Sequence, residues 1–188
     1  MAYKALVFDY FGVVQLDAFQ IWLAQNGFKR EGGFAQAAQL LNEGKTTMAS
    51  FVQDIASLAG RPLAEVQTAL ETNDAVDPKV VALLHELQGR YRVGLLSNAN
   101  GEFLRRQLSS HSLALLFDVV MASSEIGVAK PDPALFRAML AQLGTQPEET
   151  IYIDDNQAYV GAANALGIVG VLYTNADALR AELVARKV

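Results

Sequence analysis

Five short runs of apolar residues constrain this chain more than any other feature: Ala5–Phe8, Val93–Leu96, Asp118–Met121, Ile151–Ile153 and Ile168–Leu172. They are continuous rather than alternating, the pattern of parallel strands covered on both faces. Helical patterns separate the later runs. Asp77-Pro78 reads as an N-cap followed by a first-turn proline, with Gly89 as the stop. Asp132-Pro133 opens a second helix that carries Leu135, Phe136, Met139, Leu140 and Leu143 on one face and stops at Gly144. A third spans Gln157 to Leu166, and a last one starts near Ala176. Alternation of this kind predicts an α/β protein with a doubly wound, five-stranded parallel sheet.

The stretch 15–76 breaks the alternation. It holds no convincing strand but four amphipathic groups: Phe19/Ile21/Trp22/Leu23, Phe34/Ala37/Leu40/Leu41, Phe51/Val52/Ile55/Leu58 and Leu63/Val66/Leu70. Gly27, Gly32-Gly33, Gly44 and Gly60-Arg61-Pro62 punctuate them. The expected organisation is an α/β core from 1–14 plus 77–188, with an all-helical cap at 15–76 inserted after the first strand. Such an insertion is a natural lid; its blander reading is a packed helical subdomain. Trp22, Phe19 and Phe51 have helical spacing and read as cap core before they read as pocket lining.

With 188 residues, 52% of them hydrophobic and 19% charged, the chain can fill one substantial core. Net charge is −5 without a long basic run, which argues against nucleic acid as a partner. No cysteine is present, so disulfides, thiol catalysis and thiolate zinc sites are excluded together. His85 and His111 are the two histidines, and neither sits near an expected strand end, so histidine chemistry is not expected. No apolar stretch approaches the ~20 residues of a membrane span. The N-terminus lacks the shape of a signal peptide, which makes a cytoplasmic location the expectation.

Chemistry-bearing residues recur where strands end. The first strand stops at Asp9 and turns through Tyr10-Phe11-Gly12. The second ends in Ser97-Asn98, and the fourth in Asp154-Asp155. Lys130 stands just before a helix. Ligands of open parallel sheets bind beyond the carboxyl ends of the strands. Asp9 can act as nucleophile or metal ligand. Asp154 and Asp155 are adjacent like charges, costly to hold without a cation, and Mg²⁺ favours carboxylates together with a substrate phosphate. Ser97 and nearby backbone amides can cradle an oxyanion, and Lys130 can neutralise charge on a transferring group. Each has a bland counterpart: Ser97-Asn98 as an ordinary turn, Asp154-Asp155-Asn156 as the cap of the next helix, Lys130 as a solvated lysine, and the loop from Glu125 to Ala129 as its carrier.

The set resembles the haloacid dehalogenase-like (HAD) hydrolase superfamily over nearly the whole chain. Val7 to Val13 is similar to its first motif, Leu96-Ser97-Asn98 to its second, Lys130-Pro131 to its third and Ile153-Asp154-Asp155 to its fourth. The resemblance implies strand order 3-2-1-4-5 and the subgroup with a small helical cap. It implies Asp9 as nucleophile and an aspartyl-phosphate intermediate. Mg²⁺ is then held by Asp9, the backbone carbonyl of Phe11, Asp155 directly, and Asp154 second or through water. Ser97 and the Asn98 amide hold the phosphoryl oxygens, Lys130 balances charge, and the substrate is a small phosphorylated metabolite.

One position departs from the pattern. Most phosphatases of this superfamily carry a second aspartate two residues after the nucleophile, which protonates the leaving oxygen. Here it is Phe11. Losing a general acid costs about 10²–10⁴-fold on leaving groups that need one. Three functions remain open on sequence. The first is a phosphatase for esters with good leaving groups. The second is a metal-independent 2-haloacid dehalogenase-type hydrolase, where an aromatic residue fills the same slot and Arg30 is the available cap arginine. The third is a weakly catalytic or non-catalytic binding protein. Asp17, just beyond the first motif, is the available substitute proton donor.

Overall fold

The computed structural model describes residues 2–72 and 74–188. Five strands, β1 (Ala5–Phe8), β2 (Arg92–Ser97), β3 (Val119–Ala122), β4 (Thr150–Asp154) and β5 (Val169–Leu172), form one parallel sheet in the order β3-β2-β1-β4-β5. The expected strands lie within two residues of the observed ones, because burial on both faces is what makes their sequences continuously apolar.

Alternate residues of each strand feed two cores. Leu6, Phe8, Leu95, Ile151 and Ile153 face one layer, made by α5 (Pro78–Leu87), α6 (Gly101–Ser110) and α10 (Ala176–Ala185). Ala5, Val7, Leu96 and Tyr152 face the other, which contains α8 (Pro133–Leu143) and α9 (Gln157–Ala165). The starts follow from local chemistry: Asp77 accepts from the Lys79 amide at 2.8 Å, Asp132 from Ala134 at 2.8 Å and Asn156 from Ala158 at 2.9 Å, each satisfying an orphan first-turn donor. Each helix begins where the sequence places it; the third ends at Ala165, one residue short.

The insertion is helical, as expected: α1 (Ala18–Gln25), α2 (Gly32–Asn42), α3 (Met48–Ala59) and α4 (Leu63–Thr72). They have their own core around Phe19, Trp22, Leu23, Phe51, Ile55 and Val66. Its entry and exit run side by side, with Leu16 N–H donating to Ala75 at 3.0 Å and Asp77 N–H to Val14 at 2.9 Å. On the far side, the Ser123 hydroxyl donates to the Asn42 carbonyl and ties the insertion to the sheet layer. One expectation is corrected here. The stretch before Lys130 is not simply a loop, since Ser123–Ile126 forms a one-turn helix, α7, which leaves no period to read in sequence. Among the described residues, no helix is long and apolar enough to cross a membrane.

Candidate active site

The chain runs outward from β1 to β2 and β3, then returns to place β4 on the other side of β1. That reversal is the topological switch point where open α/β sheets bind ligands. Phe8 pairs with Leu95 on one side and Ile153 on the other, so Asp9 emerges level with Leu96 and Asp154. The register thereby gathers residues that lie about 145 positions apart in the chain.

Asp9, Asp154 and Asp155 each offer an oxygen within 4.8 Å of the others. Asp9 is buried, and its Oδ1 accepts from the Tyr10 amide at 2.7 Å and lies 2.9 Å from Lys130 Nζ. Oδ2 has no hydrogen bond among the described residues, and Asp9 lines the adjoining cavity. Burial pushes the Asp9 carboxyl up to about 7. Lys130 pulls against that rise, and the Asp154 charge adds to it. Asp155 is exposed at the rim; partial burial and the Asp154 charge hold its carboxyl above the usual range. Carboxylates held this way suit a hard divalent cation, which would relieve their repulsion. Gly12 brings the two motifs together. Its φ of +93° is left-handed, and a Cβ there would sit 2.8 Å from Asp155 Cγ.

Lys130 is fully enclosed. Its ammonium reaches Asp9 Oδ1 at 2.9 Å, Asp154 Oδ2 at 2.7 Å and the Leu96 carbonyl at 3.1 Å, so each of its three protons has an acceptor. Burial alone would favour losing the proton. The Asp9 and Asp154 charges and hydrogen bonds outweigh that and raise its pKa. The Tyr152 and Tyr159 rings lie 5.7 and 5.1 Å from Nζ.

Asp154, also buried, is almost fully engaged. Oδ2 accepts from Lys130 and from the Tyr152 hydroxyl, and Oδ1 accepts from the Asn156 amide at 2.8 Å. The run Asp154-Asp155-Asn156 therefore does both things open in the sequence. Asn156 caps α9, and the acids face the site.

Ser97 Oγ is buried without a hydrogen-bond partner among the described residues and lines the cavity. An orphan hydroxyl beside a nucleophile-like carboxylate is an open seat for a ligand oxygen. The amides of Ala99 and Gly101 are already taken, by the hydroxyls of Ser123 at 3.0 Å and Ser124 at 2.9 Å. The Asn98 side chain has a role absent from the sequence reading: Oδ1 accepts from the Lys130 amide at 2.8 Å while Nδ2 donates to the Lys130 carbonyl at 3.0 Å. This two-point clamp fixes the lysine's backbone from 32 residues away.

Phe11, two residues after Asp9, is half-buried, with its ring nearly parallel to Phe103 at 6.1 Å and edge-on to Tyr10 at 4.9 Å. Asp17 caps α1, accepting from the Gln20 amide at 3.0 Å, and pairs with Arg30 at 3.2 Å. Both line the cavity, but each is committed to the other. Gln15 was not singled out by sequence. It is buried, its Oε1 lacks a partner among the described residues, it lines the same cavity, and it forms a bridge with Phe11. His111 lies away from this cluster, 3.6 Å from Asp74, and His85 is exposed on α5.

Comparison with known proteins gives the same grouping. A sequence of this kind is 38% identical over 96 residues to a phosphoserine phosphatase of Thermus thermophilus, an alignment covering 50% of this chain and 39% of that protein. It is 29% identical over 187 residues to the sesquiterpene phosphatase astK of Aspergillus oryzae, covering 96% of this chain and 95% of the relative. A HAD family enzyme from Bacteroides thetaiotaomicron, solved in complex with magnesium and inorganic phosphate, superposes with a TM-score of 0.70 at 25% identity, over 92% of this chain and 95% of that one. The family model for haloacid dehalogenase-like hydrolases matches residues 16–172, and the chain belongs to that family.

Proposed function

We propose that this hydrolase is a Mg²⁺-dependent phosphomonoesterase that works through an aspartyl-phosphate on Asp9. The observation that supports it most is the Lys130 ammonium joined to both Asp9 and Asp154 beside the exposed Asp155, an arrangement of one cation and three carboxylates suited to a divalent ion and a phosphate. The relatives' names point the same way, to phosphatases and to a magnesium–phosphate complex.

In this reading the ion is held by Asp9, the Phe11 carbonyl and Asp155, with Asp154 outside them because its oxygens already serve Lys130, Tyr152 and Asn156. When bound, it supplies charge neutralisation for the phosphoryl oxygens. Ser97 Oγ and the Asn98 amide receive those oxygens, with Lys130 balancing their charge. Asp9 attacks phosphorus, forming an O–P bond as the bond to the ester oxygen breaks. Water then attacks the same phosphorus, releasing inorganic phosphate and restoring Asp9. Residues 15–76 act as the cap over this site. With Phe11 in the acid's place, the leaving oxygen departs without a protein-supplied proton, so esters of acidic alcohols are the favoured substrates.

A dehalogenase reading is disfavoured by Arg30. Its guanidinium is paired with Asp17 at 3.2 Å, so a haloacid's carboxylate would compete with that carboxylate for it. The test is p-nitrophenyl phosphate hydrolysis with Mg²⁺, with EDTA and in Asp9→Asn. Turnover that requires the metal and disappears in the variant is expected. Undiminished turnover in Asp9→Asn would end the covalent reading, and activity only on 2-haloacids would replace it.

A further inference from the structure

The cavity beside Asp9 has a volume of about 580 Å³, within the range of pockets that enclose a drug-sized molecule and far beyond what a phosphoryl group needs. Its two ends differ. The sheet end carries the charged and hydrogen-bonding groups already described. The insertion end carries a hydrocarbon surface, Phe19 and Phe51 edge to face at 5.2 Å with Leu41, Leu70 and Met48, beside the polar side chains of Gln20 and Asn42. The Phe11–Phe103 stack continues this surface down to the nucleophile.

Charge at the insertion end is already balanced. Of the residues lining the cavity there, Arg30 is the cation, and it is paired with Asp17 at 3.2 Å and lies over the Phe19 ring at 5.3 Å. A second anionic group on a substrate would have to share that guanidinium with Asp17. The cavity thus offers anion recognition at one end, an already paired cation at the other, and aromatic side chains between.

We propose that the group esterified to the phosphate is apolar: the substrate class is the phosphate monoester of a phenol or a similarly acidic hydrophobic alcohol, its hydrocarbon held between the Phe11–Phe103 stack and the Phe19–Phe51 pair. This rests on the phosphomonoesterase reading and names its substrate class. It sets substrates that carry a carboxylate or a run of hydroxyls apart, since a carboxylate would compete with Asp17 for Arg30 and hydroxyls would lose hydration against aromatic faces.

The test separates binding from turnover. Alkylphosphonates from ethyl to octyl keep the phosphate-like head but cannot be cleaved, and calorimetry on the Mg²⁺-loaded protein reads their affinity directly. Burying each methylene is expected to tighten binding about three- to fourfold until the cavity is full. Turnover of the matching alkyl phosphates should rise in parallel, because their leaving groups are equally acidic. Met48→Gln, which keeps the side chain's length, should flatten this slope. Asp17→Asn retains an N-cap and frees Arg30. It should improve binding of phosphonoacetate relative to propylphosphonate about tenfold. Affinity that is flat or falls with chain length, or tighter binding of phosphonoacetate or of sugar phosphates by the unaltered protein, overturns the proposal. If ethylphosphonate and inorganic phosphate bind while the chain-length slope is absent, the substrate class falls and the phosphatase reading stands. If neither binds, the phosphatase reading itself falls.

Discussion

Replacing Asp9 with Asn should stabilise the metal-free protein while removing its activity. Asp9 is buried, and its carboxyl is pushed up to about 7 from 3.8, chiefly by burial. The folded state therefore holds its proton more tightly than the unfolded chain does. Stability must then fall as pH rises through the window from about 4 to about 7, and this penalty is absent below it. Each pKa unit is worth about 1.4 kcal/mol, so keeping the carboxylate charged above pH 7 costs the fold at most about 4 kcal/mol. Asn can still accept from the Tyr10 amide and from Lys130 through its oxygen, and the attraction of Lys130 for the carboxylate is already contained in the raised pKa. The expected difference is at most about 4 kcal/mol in favour of Asp9→Asn at pH 8, or up to about 8–16 °C in melting temperature for a chain of this size, shrinking towards zero near pH 4. Thermal or urea unfolding in EDTA at several pH values reads this directly. A variant that is less stable at pH 8, or a difference that does not change with pH, would refute the argument that burial dominates this site.

Other consequences follow from single contacts. Phe11→Asp should raise kcat for alkyl phosphates with little change for p-nitrophenyl phosphate, because a carboxyl there matters only when the leaving oxygen needs a proton; a leaving-group series before and after the change is the measurement. Gly12→Ala should weaken Mg²⁺ binding at least tenfold and lower stability by about 1–2 kcal/mol, since both the left-handed φ and the neighbouring Asp155 oppose a methyl group; metal titration and unfolding check the two effects separately. Gln15→Met removes a buried polar group without a described partner, so the free protein should gain about 1 kcal/mol while phosphate-analogue binding weakens. A loss on both counts would make Gln15 structural.

The strands were legible because burial on both faces leaves continuous apolar runs, and the helix starts because Asp77-Pro78 and Asp132-Pro133 are local signals. The strand ends carried the site for the same reason: Asp9, Ser97 and Asp154 are where apolar sequence stops. Contacts made by tertiary approach were not legible. Asn98 brackets Lys130 only because the loop after β3 comes back to β2. Tyr152 stands two residues before Asp154, hence on the same strand face, but its phenol is indistinguishable in sequence from core filler until the buried carboxylate beside it is seen. The pairing of Arg30 with Asp17 brings the start of α1 to the chain just before α2, and no periodicity announces it.

The most direct test of the account is to look for the phosphoryl group on Asp9. Protein mixed with p-nitrophenyl phosphate and Mg²⁺, quenched in acid within one turnover and digested, should yield the Asp9 peptide heavier by one phosphoryl group, in step with the first release of nitrophenol. The adduct should be absent in EDTA and in Asp9→Asn. Nitrophenol release at full rate with the Asp9 peptide unmodified, or a phosphoryl group on another residue, would contradict it.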